Sequence, residues 1–472
     1  MFVKRFFEPS IAQASYLIGC QATGEAVVID ANRDVAQYLD AAAQEGLRIT
    51  TVTETHIHAD YVSGSRELAQ RAGASLCLSD EGDQSWKYQF PHDRRLKHGD
   101  RISIGNIAID VLHTPGHTPE HLTFLVTDGA AADRPIAAIT GDFVFVGDVG
   151  RPDLLERAAN IKGTMEAGAR MLWNSLQAFT QHDDWLQIWP GHGAGSACGK
   201  GISAIPSSTL GYEKRFNWAF RIKSEAAFVE AVLAGQPEPP TYFAKMKQVN
   251  KAGPAILGAF EVPPRLDAAT LQEVLDRKAL VIDTRPAAEY AAGHLSGTIN
   301  IPFNASFVTW AGWLVSAEEL YLIVDDATAG ARLSELARSL ALIGIDRISG
   351  YFDPSALRGT VTSRQIQPSE VAARLNELVV IDVRSANEWA AGHIAGATHI
   401  PLGYLQDRAG DIPRHRPVVL QCQSGARSAI GVSVLERIGF TNVLNLAGGF
   451  NAWSAAGLPV AEVARERQTA GA

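Results

Sequence analysis

"THIHADYVSG", residues 55 to 64, sets His56, His58 and Asp60 at alternate positions just after the apolar run "TVTET". His-x-His-x-Asp is ligand spacing for a site that holds two metal ions, with each side chain offering one donor atom. Such a site takes a further histidine right after the aspartate, and here that position is Tyr61. The stretch reads as a metal site with one ligand missing. Three more segments supply candidate ligands: "TPGHTPEH" with His117, "TGDFVFVGDVGRPDL" with Asp142, and "WPGHGAGSACG" with His192. Each follows an apolar strand and begins or contains a glycine turn, and loops at strand ends are where separate ligands converge. A lone His117 or His192 is more often a hydrogen-bonded core residue than a ligand. Four such segments in this order make a metal site.

The chain around them has 472 residues, 46% of them hydrophobic and 20% charged, with a net charge of -9. That length implies several domains, each able to bury a core. The negative balance excludes a general nucleic-acid binder, since no excess of Lys and Arg is available for phosphates. Glu8, Pro9 and Gln13 break the apolar runs at the amino terminus, so no export signal is read there. No stretch is apolar enough to span a bilayer. The four cysteines, Cys20, Cys77, Cys198 and Cys422, are scattered without metal or disulfide spacing. Free thiols in a reducing, cytoplasmic compartment are expected.

Three regions follow. Residues 1–240 carry the candidate metal ligands, and residues 241–264 are Pro-rich and read as a linker or wrapping arm. Beyond them the sequence repeats itself. "LVIDTRPAAEYAAGHLSGTINIPF" from Leu280 is echoed by "VVIDVRSANEWAAGHIAGATHIPL" from Val379, and "LYLIVDDATAGARLSELA" matches "PVVLQCQSGARSAIGVSVLE". Strand, small-residue loop and helix recur in both copies. Two tandem α/β domains, 265–360 and 365–462, are expected, each a parallel sheet covered by helices. A polar tail, 463–472, closes the chain.

The second copy contains a second candidate for chemistry. In "VVLQCQSGARSAIGV", Cys422 ends an apolar strand, and Gln423, Ser424, Gly425 and Ala426 lead into a helix. Such a loop can turn its N–H groups toward the sulfur, and the helix adds its positive amino-terminal dipole. Both favour a thiolate and a bound persulfide. Arg427 adds charge and a fork of donors. The first copy has no cysteine. Anchored on the shared Gly-Ala-Arg, Ala327 takes the place of the nucleophile.

The ligand segments resemble the metallo-β-lactamase superfamily, and within it they look most like the persulfide dioxygenases. The resemblance implies an αββα sandwich followed by two rhodanese-like doubly wound α/β domains. It also implies one Fe(2+) held by His56, His117 and Asp142. His58, Asp60 and His192 then support those ligands or hold a second metal. Tyr61 and Arg151 become substrate-side candidates; the resemblance also reads Arg151 as structural or site support, and a packed aromatic and a solvated surface arginine stay open. A two-His-one-carboxylate face leaves positions for dioxygen and a substrate sulfur together. "DVRSANEW", "GHIAGATHIP" and the Cys422 loop resemble the rhodanese family, with Asp382, Arg384 and His393 as its structural signature. Cys422 would be the nucleophile there.

The fused arrangement resembles bacterial proteins of sulfide detoxification. On that resemblance a small thiol persulfide is oxidised by O2 to sulfite and thiol, while Cys422 carries sulfane sulfur that sulfite can accept as thiosulfate. The expected assembly is a homo-oligomer, with neither nucleic acid nor membrane as partner. Cys198, six residues after His192 in "GHGAGSACGK", is either a second sulfur-handling thiol or a packing residue. Two other classes stay open. One is a two-zinc (Zn2+) thioester hydrolase resembling glyoxalase II, and the other is a carrier or sensor of reactive sulfur.

Overall fold

In the computed structural model, residues 1–154, 156, 163–316 and 319–461 are described; the expected tail, 463–472, lies outside them. The chain divides into two compact units, Met1–Phe260 with Arg338–Asp346, and Glu261–Ala337 with Arg347–Ala472.

The first unit holds two six-stranded sheets. One runs in chain order from β1 (Phe2–Glu8) and β2 (Gln13–Cys20) through β3 (Glu25–Ile29), β4 (Arg48–Thr53) and β5 (Ser75–Ser79) to β6 (Arg94–Leu96). The other contains β7 (Arg101–Ile104), β8 (Ile107–His113), β9 (Leu122–Asp128), β10 (Ala137–Gly141), β11 (Gln187–Pro190) and β12 (Ser208–Thr209), in the reverse spatial order β12 to β7. Alternation along the strands gives each sheet two apolar faces. Ile18, Val27, Ile109, Phe124 and Ile139 fill the layer between the sheets. Val28, Val52 and Leu76 face the other way and pack with Tyr38 and Leu68, from the helices Ala36–Gln44 and Ser65–Ala72. On the far side Ala138 and Ile188 meet Leu172, Leu176 and Phe228, from the helices Thr164–Phe179 and Glu225–Leu233. The layers are therefore αββα, as the sequence implied.

The segment 241–264 contains the helix Phe243–Ala252, with Phe243, Met246 and Asn250 buried. Up to Phe260 the segment therefore packs with the first unit, as a wrapping arm, and from Glu261 it belongs to the second. No helix among the described residues is long and apolar enough to cross a membrane.

The second unit holds the two repeats, apart from Arg338–Asp346 of the first copy. The first has β13 (Leu280–Asp283), β14 (Ile299–Asn300), β15 (Leu320–Ile323) and β16 (Gly350–Phe352), a parallel sheet in the order β14-β13-β15-β16. The second has β17 (Arg364–Ile366), β18 (Val379–Asp382), β19 (His393–Ile394), β20 (Thr398–His399), β21 (Val418–Gln421), β22 (Val443–Leu446) and β23 (Val460–Ala461). Its main sheet runs β17-β22-β21-β18-β20, all parallel, and β19 pairs with β23. These near-continuous apolar strands are what a sheet covered on both faces requires.

Strand register corrects one point of the repeat. Asp283 pairs with Ile323 just as Asp382 pairs with Gln421. The position of Cys422 is thus filled by Val324, not Ala327. The next helix begins at Ala329, five positions after Val324, against four from Cys422 to Ala426, so the first copy's loop is one residue longer. The Gly-Ala-Arg anchor misled because Gly330 lies inside its helix, whereas Gly425 caps the other.

Candidate metal and sulfur-transfer sites

The four ligand segments leave β4, β8, β10 and β11 at their carboxyl ends and meet in one buried place. Donor atoms of His56, His117 and Asp142 lie within 4.8 Å of one another, and so do those of Asp60, His192 and Cys198. The tautomers are fixed by the other ring nitrogens, the arrangement metal-bound histidines use. His56 Nδ1 lies 2.9 Å from Thr55 Oγ1, whose hydroxyl donates to Asp30 Oδ2 at 3.0 Å. His117 Nδ1 donates to the Arg151 carbonyl at 3.1 Å, and His192 Nδ1 to the Ala12 carbonyl at 3.0 Å. Each leaves Nε2 for the site.

Burial does the rest. It holds His56 well below the ordinary histidine range, with the neighbouring imidazoles adding to the effect, and it takes His117 down to about 3. Both rings are therefore neutral, as ligands must be. Burial also pushes the Asp142 carboxyl up to about 6, against the pull of His192. Both oxygens of Asp142 and both of Asp60 are buried without a hydrogen-bond donor among the described residues. His192 Nε2 stands 3.2 Å from Asp60 and 3.4 Å from Asp142. Buried carboxylate oxygens in that condition are costly unless a cation meets them. The residues present fit a metal.

The remaining sequence candidates separate. His58 turns its Nε2 to Asp30 Oδ1 at 3.1 Å; burial opposes its protonation, but that carboxylate raises it to about 9. Tyr61 is fully buried, tilted against the His58 ring at 4.5 Å, and its hydroxyl donates to the Asp30 carbonyl at 3.3 Å. It packs as a buried aromatic beside His58. Arg151 is also fully buried, so it is not a solvated surface arginine, and its bonds fit structural support of the site. Its guanidinium makes two bonds to Asp153, 2.8 and 2.7 Å, and reaches the Ala197 and Pro237 carbonyls. Cys198 is buried, and that burial, followed by the Asp142 and Asp60 carboxylates, pushes its thiol well up. It adjoins the ligands as a neutral thiol.

Three residues that sequence reasoning missed hold this place together. Asp30, in the left-handed region at φ 59, accepts from Thr55 N, Thr55 Oγ1 and His58. A non-glycine residue there is uncommon, and its short side chain suits local hydrogen bonding. Asn250 donates to the His58 and Tyr61 carbonyls at 2.8 and 2.7 Å and accepts from Ser63 N at 2.9 Å. His121, stacked on His56 at 5.1 Å, accepts from Asp142 N at 3.2 Å. Asp30 ends "AVVID" and His121 ends "TPGHTPEH", so their strand-end positions were visible signals. Asn250 offered none.

In the second unit, Cys422 directly follows β21 and its sulfur accepts from Gly425 N at 3.2 Å and Ser428 Oγ at 3.4 Å. Gly425, at φ 94, turns the loop into the helix Ala426–Arg437. The loop is fastened on its outer side. Gln423 accepts from Arg384 at 3.2 Å and donates to Asn451, and the Cys422 carbonyl accepts from Phe450 N at 2.7 Å. Ser424 and Ala426 are exposed at its rim. Arg427 faces the Cys422 sulfur, but its charge is not free, because both terminal nitrogens bond the Glu388 carboxylate at 2.7 and 2.5 Å. Asp382 and Arg384 form a buried pair, and His393 stacks on Trp389 at 3.6 Å. The loop cradles a sulfur atom in a dry, donor-lined setting.

The profile of the metallo-β-lactamase superfamily matches residues 11–192, and that of the rhodanese-like domain matches 267–360 and 367–456. A crystal structure of a metallo-β-lactamase from Staphylococcus aureus subsp. aureus COL is 43% identical, with a TM-score of 0.67; the match covers 75% of this chain and 99% of that one. A probable metallo-hydrolase of Burkholderia pseudomallei (strain 1710b) is 32% identical over 181 residues, 32% of this chain and 60% of its own length. A hydroxyacylglutathione hydrolase of Rhodopseudomonas palustris (strain BisA53) is 30% identical over 245 residues, 50% of this chain and 80% of its own. With that fold, that metal-binding His/Asp cluster and that cysteine loop, the chain belongs to the metallo-β-lactamase superfamily and carries two rhodanese-like domains.

Proposed function

We propose that the chain oxidises small thiol persulfides with O2 at a single non-haem iron(II) and moves sulfane sulfur at Cys422. The observation that carries the reading is the His56, His117 and Asp142 set, two neutral imidazoles and one carboxylate, in a chain that also bears the Cys422 cradle. Iron(II), when bound, supplies a centre that takes dioxygen and a substrate sulfur together.

The protein's own contribution is position and dryness. Thr55 and the Arg151 carbonyl hold the His56 and His117 rings so that each offers Nε2. Asp60 and His192, both buried, flank the open side of Asp142. In the overall reaction R–S–SH, O2 and water give R–SH and sulfite. At the other site the Cys422 thiolate attacks the outer sulfur of a donor, the donor S–S bond breaks, and sulfite later takes that sulfur as thiosulfate.

A second reading is a two-zinc thioester hydrolase. The Asp60, His192 and Cys198 group offers a second ligand set, and one relative is named a hydroxyacylglutathione hydrolase. Oxygen-electrode uptake with glutathione persulfide, on iron-loaded protein whose metal content is assayed in parallel, separates the two. One iron per chain with persulfide-dependent uptake supports the dioxygenase. Two zinc ions per chain and no uptake would remove it in favour of the hydrolase.

A further inference from the structure

The rhodanese-like copy that lacks a nucleophile has a cavity of its own. It has a volume of about 480 Å³ and lies at the carboxyl end of the first repeat's sheet. Phe303, Trp310 and Arg332 of the first copy line it, and Arg427 of the second copy closes one wall. Ala426 and Arg427, from the helix that follows the Cys422 loop, both line it, so the cavity adjoins that loop.

The charge of this cavity is distinctive. Arg285, Arg384 and Arg427 are each paired with a carboxylate, from Asp283, Asp382 and Glu388. Arg332 has neither an ion pair nor a hydrogen bond from its guanidinium among the described residues; it lies 5.2 Å from the Phe303 ring centre. No Asp or Glu lines the cavity among the described residues. The longer loop after β15 is drawn elsewhere. Asp326 pairs with Arg265 at 2.7 Å and its N–H donates to Asp353 at 2.8 Å, while Asp325 accepts from Ala327 N, and Glu335, three residues on along the helix, makes no ion pair with Arg332. A half-buried guanidinium on an aromatic face, with no counter-ion, is an anion site of the forked kind. The volume suits an organic molecule and is far beyond the needs of an inorganic sulfur anion.

We infer that the Cys-less rhodanese copy binds the organic half of the sulfur donor, with Arg332 gripping an anionic group of the thiol and Trp310 packing on its body, while Cys422 takes the outer sulfur. This rests on the sulfur-transfer half of the reading above. The step balances: Cys422–S⁻ and R–S–SH give Cys422–S–SH and R–S⁻, one S–S bond forming as one breaks, with the electron pair leaving on the thiolate. The chemistry recognised is an anionic organic thiol, its charge borne by carboxylate or by phosphate.

The test is the donor half-reaction on the full chain, without oxygen, following thiol release in stopped flow with glutathione persulfide (carboxylates) and coenzyme A persulfide (phosphates). Arg332→Ala should raise the half-saturating concentration of at least one donor about ten-fold, the effect of losing one charge-assisted contact, with the limiting rate within two-fold. Arg332→Lys should recover part of it. The donor affected names the anion. Unchanged half-saturation for both donors, or a fall in limiting rate alone, overturns the inference. Cys422→Ser runs beside it; undiminished thiol release there would instead sink the sulfur-transfer reading.

Discussion

His117 and Arg151 are joined through a single hydrogen bond, from the histidine Nδ1 to the arginine carbonyl at 3.1 Å. The same arginine's side chain reaches the Ala197 carbonyl, next to Cys198, and pairs with Asp153. Arg151 thus fastens a ligand's ring and the Cys198 loop at once. Arg151→Leu should lower unfolding stability by about 3–5 kcal/mol, the cost of breaking a buried ion pair, and reduce bound metal. Denaturant unfolding and metal assay on one preparation check it.

The two reactions should be separable by point changes. His117→Ala should take bound metal and oxygen uptake to near zero while thiol-to-sulfite transfer stays near wild type. Cys422→Ser should abolish transfer and spare uptake. Loss of both activities from either change, in folded protein, would refute the assignment of two independent sites.

Asn250 secures residues 58–63 with three hydrogen bonds and is itself buried. Asn250→Leu keeps the volume and leaves those backbone groups unanswered, at about 1–3 kcal/mol for each buried group so left. A lower urea midpoint and faster loss of metal to a chelator are the expected results.

Gly449 has φ 60, and a Cβ there would stand 2.2 Å from the Cys422 carbonyl oxygen and 2.8 Å from Gly425 N. Gly449→Ala must therefore shift the cysteine loop. Sulfur transfer should fall about a hundred-fold, the scale of an ångström-sized misplacement, with oxygen uptake unchanged. Steady-state kinetics of both reactions will show whether it does.

Glu388 links the cradle to pH. Burial works against its ionisation, but the Arg427 and Ser385 hydrogen bonds hold it down to about 2, below its ordinary 4.5. A carboxyl depressed by folding adds stability above its unfolded value and loses it as pH falls through the folded one. The stability advantage of wild type over Glu388→Gln should therefore shrink from about pH 4.5 toward 2. Unfolding curves of both proteins across that range test the sign.

Much of this was legible in the sequence because ligands and nucleophile follow strands, and strand ends are local features. His56, His117, Asp142 and Cys422 could be picked out for that reason, as could the repeat. What escaped depends on distant pairing. Asn250 lies 192 residues from His58, whose carbonyl it holds. The burial of Arg151 and Tyr61 follows from how layers stack, which no spacing records. The place of Cys422 was misassigned to Ala327 because a shared tripeptide can sit at different depths in two helices, which only strand register reveals. Arg332 drew no notice because an unpaired cation is defined by what surrounds it.

The loop behind Val324 also bears on what the first copy could become. An inert copy that differed from its active twin by one side chain could turn to catalysis by one substitution. Here Val324→Cys would set a thiol just before Asp325 and Asp326, where the active copy has Gln423 and Ser424, so two acids would work against a thiolate. The first copy is held apart from catalysis by its loop as well as by its missing thiol.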